Sequence, residues 1–159
     1  MTIAAPSTQL YRILIKATPQ AIWDAITDPD WTKKYGYRTA AEYDLRPGGV
    51  FRQPSNAFMK SMGVPDIAVE GEIIESNRPH KLVQTWRACW APDEAVTRLT
   101  YEIADRGDGL AELTVIHELE GAPNVAAMVG GFVEGAGGGW WWLLSDIKTL
   151  LETGHSLRN

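Results

Sequence analysis

The stretch WWWLLSDIKTLLE, Trp140–Glu152, decides the fold, because it is where the apolar period of the chain changes. Trp140, Leu143, Leu144, Ile147, Leu150 and Leu151 recur at helical spacing on one face, which predicts a helix laid by its apolar stripe on a sheet. Gly154 is placed to stop it, since glycine enters the left-handed conformation at a helix end without a Cβ penalty. Trp141 falls outside the stripe beside Ser145, Lys148 and Glu152, and Trp142 beside Ser145, Asp146 and Thr149. A helix needs one apolar face to pack on a sheet, so these two rings predict a homodimer or partner contact. The alternative is that the loop Ser55–Pro65, with Phe58 and Met62, folds over at least one of them.

Working backward, the stripe continues through Val125, Met128, Val129, Phe132 and Ala136. Against it stand Gly130, Gly131, Gly135 and Gly137–Gly139, each costing about 1 kcal/mol inside a helix. The sequence leaves 124–139 open between a soft helix and a loop.

Upstream the period is two. Leu10–Lys16 alternates with Tyr11, Ile13 and Ile15 on one face, and Thr18-Pro19 and Asp28-Pro29 each read as a cap followed by a first helical proline. Tyr43–Leu45 and Val50–Gln53 flank a Pro-Gly-Gly turn as a hairpin, and Ile67–Glu75, Lys81–Ala88, Thr97–Ile103 and Glu112–His117 continue as strands. Short turns between successive strands predict an antiparallel meander. The expectation is an α+β fold: a curved antiparallel sheet of six to seven strands wrapped around a long C-terminal helix, with two short helices after the first strand. The 159 residues suit one domain over 1–159 with an ordered core about 10–154.

Fifteen basic and twenty acidic residues give a net charge of −5 without blocks, which argues against a nucleic-acid partner. No stretch approaches the ~20 apolar residues of a membrane span. Met1–Gln9 has neither the basic start nor the apolar run of a signal peptide. Cys89 is the one cysteine, which excludes an internal disulfide and fits a reducing, cytoplasmic compartment.

Four pieces of the chain carry a resemblance: ATPQAIWDAITDPDWTKKY (Ala17–Tyr35), YDLRPGGVFR (Tyr43–Arg52), GEIIESNRPHKLVQTW (Gly71–Trp86) and GGGWWWLLSDIKTLLE (Gly137–Glu152). In wording and order it resembles the helix-grip (SRPBCC, START-like) superfamily. It is most similar to bacterial proteins like the C-terminal domain of the activator of the heat-shock-protein-90 ATPase. The resemblance implies a cavity between sheet and helix, and no shared catalytic residue, because this superfamily hosts carriers, enzymes and co-chaperones alike.

The chemistry-bearing residues are sparse. His80, His117 and His155 are scattered and Cys89 is alone, so no metal-ligand spacing exists, and the glycine run lacks the Lys-Ser/Thr of a phosphate loop. No cofactor is implied. His117 shares a face with Leu113 and Val115, Trp86 and Gln84 with Leu82, and Tyr101 with Leu99 and Ile103. Polar tips in an apolar wall suit a selective pocket, and equally an ordinary core whose tips find partners. The reading is a site for a small apolar or aromatic molecule walled by Trp23, Val69, Trp86, Leu99, Tyr101, Val115, His117, Phe132 and Trp140. The alternatives are a cyclase- or hydrolase-type enzyme with His117 as acid/base and Tyr101 orienting substrate, or a co-chaperone-like module that uses its surface.

Overall fold

A computed structural model describes residues 5–158. Met1–Ala4 and Asn159, the ends of the expected single domain and part of the stretch read for a leader, lie outside the described residues. The elements run β1 (Thr8–Ile15), α1 (Pro19–Thr27), α2 (Pro29–Thr32), β2 (Glu42–Tyr43), β3 (Val50–Pro54), α3 (Ala57–Ser61), β4 (Ile67–Asn77), β5 (Lys81–Ala88), β6 (Thr97–Gly107), β7 (Leu110–Glu118), α4 (Pro123–Val129) and α5 (Gly139–Thr153). Seven antiparallel strands form one curved sheet in the order β1-β7-β6-β5-β4-β3-β2. The expected α+β class and helix-grip arrangement are what the chain adopts.

Local chemistry accounts for the entry into each element. Thr18 Oγ1 accepts the Ala21 N–H at 3.1 Å while Pro19 opens α1, and Asp28 does the same for α2 through the Asp30 N–H at 2.9 Å. One face of the sheet carries Ile15, Phe51, Val69, Leu82, Leu99, Leu113 and Val115 into a core shared with Ile22 and Trp23 of α1 and Leu144, Ile147 and Leu150 of α5. The opposite face is laced with exposed ion pairs such as Arg87–Glu70 at 3.2 Å and Arg106–Glu112 at 3.0 Å, each worth little at a wet surface.

The open question at 124–139 resolves into a break. The chain is helical as α4, leaves the helix at Gly130, and becomes helical again at Gly139. Gly139 has φ +71°, and a Cβ there would stand 2.3 Å from the Val129 carbonyl oxygen, so only glycine lets the strap of residues 130–138 fold back against the end of α4. The start of α4 is set from elsewhere: Ala122 has no capping side chain, and both Glu94 carboxylate oxygens accept, from the Asn124 and Val125 N–H groups at 2.9 Å. Gly154 ends α5 with φ +83° and donates to the Leu150 carbonyl.

Asp146 departs from the helical-wheel expectation of an outward position. It is fully buried, accepting from the Gly36 N–H, the Ser156 hydroxyl and the Leu157 N–H, each at 2.8 Å. Burial alone would raise its pKa. The Leu157 and Gly36 amides, the Ser156 hydroxyl and the Arg158 charge outweigh that and hold it below the ordinary carboxylate value. The C-terminal tail is thereby clamped onto the segment after α2, and Arg158 donates to the Gly36 carbonyl at 2.6 Å. Asp146→Ala strands the buried Gly36 N–H and frees the tail, so urea unfolding should show a loss of about 2–3 kcal/mol. A change within ~0.5 kcal/mol would mean that the clamp contributes nothing.

Candidate functional site

Trp140 opens α5 with its ring turned into the sheet, and its indole N–H donates to His117 Nδ1 at 3.1 Å. Indole nitrogen only donates, so Nδ1 must be the unprotonated nitrogen and His117 carries its proton on Nε2. Nε2 lies 2.8 Å from Thr97 Oγ1, whose own hydrogen goes to the Trp86 carbonyl at 2.9 Å. The result is a one-directional relay, Trp140 to His117 to Thr97 to Trp86, joining α5, β7, β6 and β5. Trp86 and Trp140 also present edges to the imidazole, with ring centroids 5.1 and 5.9 Å away. Burial pushes the His117 pKa down to about 3, because no charged partner repays an imidazolium there.

A second polar group lies on the same face. The Tyr43 hydroxyl donates to Gln84 Oε1 at 3.1 Å, close to the buried Tyr101. Burial raises the pKa of both phenols, so they remain neutral donors and acceptors. Tyr35, equally buried and also raised by burial, donates to the Ala25 carbonyl at 2.6 Å. Two buried donors, Gln84 Nε2 and Trp23 Nε1, have no partner among the described residues.

The structure brings together Trp23, Val69, Leu99, Tyr101, Val115, His117 and Trp140 as buried neighbours in one core, with Trp86 half-buried against it. Phe132 is not with them. The helix ends at Val129, the Phe132 N–H turns back to the Ala127 carbonyl at 2.9 Å, and the ring lies over Gly130 and is 56% exposed. Two hollows of about 350 and 370 Å³ stand out on the surface, and both lie on the charged outer face of the sheet, away from α5. Of the two extra rings on α5, Trp142 is covered, edge-on to Tyr37 at 5.4 Å with the Arg158 guanidinium 5.2 Å from its centre. Tyr37 and the tail lie against this ring, Asn56 of the Ser55–Pro65 segment donates to the Tyr37 carbonyl, and Phe58 and Met62 of that segment stay mostly exposed. Trp141 remains 60% exposed.

The sheet-and-helix layout can be compared with known proteins. The family model described as Activator of Hsp90 ATPase homolog 1-like protein matches residues 16–152. The chain belongs to this family. No curated protein matches it. Among solved structures it is similar to CalU16 from Micromonospora echinospora, with TM-score 0.68 and 19% identity over 94% of this chain and 77% of that one. It is similar to an HSP90 activator from Plasmodium falciparum, with TM-score 0.64 and 20% identity over 91% and 96%. The Aha1 dimer from Colwellia psychrerythraea gives TM-score 0.68 and 16% identity over 92% and 97%. At these identities the likeness is one of fold.

Within this Hsp90-activator-like scaffold the interior polar groups tie elements together. Both His117 nitrogens are engaged and the ring stays neutral through the physiological range, which leaves no free nitrogen for acid/base work. No helix among the described residues is long and apolar enough to cross a membrane. Thr97 and Tyr43 were not singled out from the sequence; Thr97 shares the alternation of Leu99 and Tyr101, which is the signal that places it inward.

The relay has a pH signature. An unfolded His117 takes up a proton near 6.5, but the folded one does so only near 3. Its contribution is therefore complete above pH 6.5 and is lost as pH falls toward 3, at up to about 1.4 kcal/mol per pH unit. His117→Phe leaves the Trp140 N–H without an acceptor and removes the donor to Thr97 Oγ1, which keeps only its bond to the Trp86 carbonyl, and should cost about 2–4 kcal/mol at pH 7.5. Urea midpoints from pH 7.5 to 3.5 should converge for the two proteins. Parallel curves would mean that His117 does not titrate with folding.

Proposed function

We propose that this Hsp90-activator-like protein works as an accessory module that contacts a partner protein through its surface. One observation carries the reading: the side chains expected to wall a cavity are buried together in one core, while apolar groups on the segments tied by Tyr37 stand exposed. Phe58 of α3 and Met62 at its C-terminal end are mostly exposed, as is Phe132 on the strap. Tyr37 connects these segments, since Asn56 at the start of α3 donates to its carbonyl and its hydroxyl donates to Ala136 on the strap at 3.4 Å. Exposed apolar clusters of this kind mark contact sites. The family description supports an Hsp90-type ATPase as the partner to test first. Phe58→Ser with Met62→Ser should leave stability within ~0.5 kcal/mol, because neither is buried. The same double variant should weaken binding to the organism's own Hsp90 at least tenfold by calorimetry. Wild type with no affinity for that chaperone and no effect on its ATPase would sink the reading.

The buried Gln84 Nε2 and Trp23 Nε1 favour a second reading, a small apolar or aromatic molecule with a hydrogen-bond acceptor. Trp23, Val69, Trp86, Leu99, Tyr101, Val115, His117 and Trp140 would wall it once the glycine strap moved aside. Unpaired buried donors cost about 1–3 kcal/mol each, a cost that an acceptor on a ligand would remove. A naphthyl ketone probe should then quench tryptophan emission of the folded protein, and Gln84→Leu should weaken that quenching about tenfold. Absence of quenching at ~100 µM probe would count the interior as core alone.

A further inference from the structure

β1 is an edge strand, and only half of that edge is covered. Lys148 Nζ donates to the Leu14 carbonyl at 2.8 Å and Glu152 Oε2 accepts the Lys16 N–H at 2.8 Å. On the other parity, the Ser7 carbonyl accepts from Leu119, beyond the end of β7. Residues two apart in an antiparallel ladder direct their backbone groups the same way. Leu10 and Arg12 therefore point their N–H and C=O groups outward with Leu14, and among the described residues nothing bonds them. Unpaired groups of this kind are a template for another strand.

Trp141 stands beside this open half. Its neighbour Trp140 reaches His117, and His117 pairs in register with Gln9, so the start of α5 lies level with Gln9 and Leu10. Lys148 and Glu152, which cover the lower edge, share Trp141's face of the helix. Trp141, 60% exposed, thus continues the same stripe past the open edge, while Leu10, 56% exposed, projects from the opposite side of the strand.

We propose that the open half of β1 pairs antiparallel with the same strand of a second copy, joining the two seven-stranded sheets edge to edge. A two-fold axis at Leu10 sets Leu10 against Leu10 above the junction and Trp141 beside Trp141 below it. Arg12 then faces Thr8, so no like charges meet. An axis at Arg12 would oppose two arginines and require the Leu14 carbonyl that Lys148 already holds; an axis at Thr8 would place Pro6, which has no N–H, against Leu10. The two-fold doubles each apolar group, whereas an extended segment of another protein would meet one leucine and one tryptophan. The contact is small, of the size of weak, concentration-dependent dimers, and it leaves Phe58 and Met62 free, so it does not rest on the accessory-module reading.

Sedimentation should find a dimer near ~100 µM that dissociates toward ~1 µM, an affinity in keeping with so small a contact. Leu10→Lys and Trp141→Ser should each weaken it at least tenfold with unchanged urea midpoints. In a Cys89→Ser background, Leu10→Cys should form a disulfide-linked dimer on mild oxidation, since opposed residues of a hydrogen-bonded pair have Cα atoms about 5.5 Å apart, within disulfide reach. Leu14→Cys should not. A wild type that stays monomeric at ~500 µM overturns the proposal and leaves the edge for an extended segment of another protein. A dimer that survives both surface variants, or cross-links equally through Leu14→Cys, overturns it as well.

Discussion

The neutral imidazole of His117 holds the two layers of this protein in one arrangement. A helix on a sheet is held by apolar area, which is non-directional and tolerates sliding. The Trp140–His117–Thr97–Trp86 relay adds direction, because each donor and acceptor has one partner at one distance. Burial that would penalise an imidazolium also strengthens these hydrogen bonds. The helix is thus pinned at its first turn.

The far end of α5 is held by a different device. Asp146 keeps its charge inside the protein by accepting from Gly36, Ser156 and Leu157, and the tail it anchors carries Arg158 over Trp142. Between the two anchors the apolar stripe packs on the sheet, while the strap of residues 130–138 is left with few side chains to bury. That strap lies close against Tyr37 and Trp142 through its glycines, and it carries the exposed ring of Phe132.

The functional reading follows from where polar and apolar groups ended up. An interior whose histidine is spoken for at both nitrogens and whose phenols stay neutral has little acid/base chemistry to offer. The surface retains apolar groups that the fold does not need: Phe58, Met62, Phe132, Leu10 and Trp141. In the core, Gln84 Nε2 and Trp23 Nε1 have no partner among the described residues.

Much of this was legible in the residues alone. Alternation in β1 and β4–β7, the two cap-proline pairs and the stripe from Trp140 to Leu151 follow from local periodicity, which the backbone imposes on any sequence that must bury one face. The inward placement of His117, Tyr101 and Trp86 was legible for the same reason. Whether those tips would be free or paired was not, since Trp140 meets His117 only when residues 23 positions apart are brought together. Tertiary contact likewise decided that Glu94 caps α4, that Phe132 turns outward and that Asp146 faces in despite its place on the wheel. Periodicity determines which face of an element is apolar, but hydrogen bonds between distant elements determine what each polar atom on that face does.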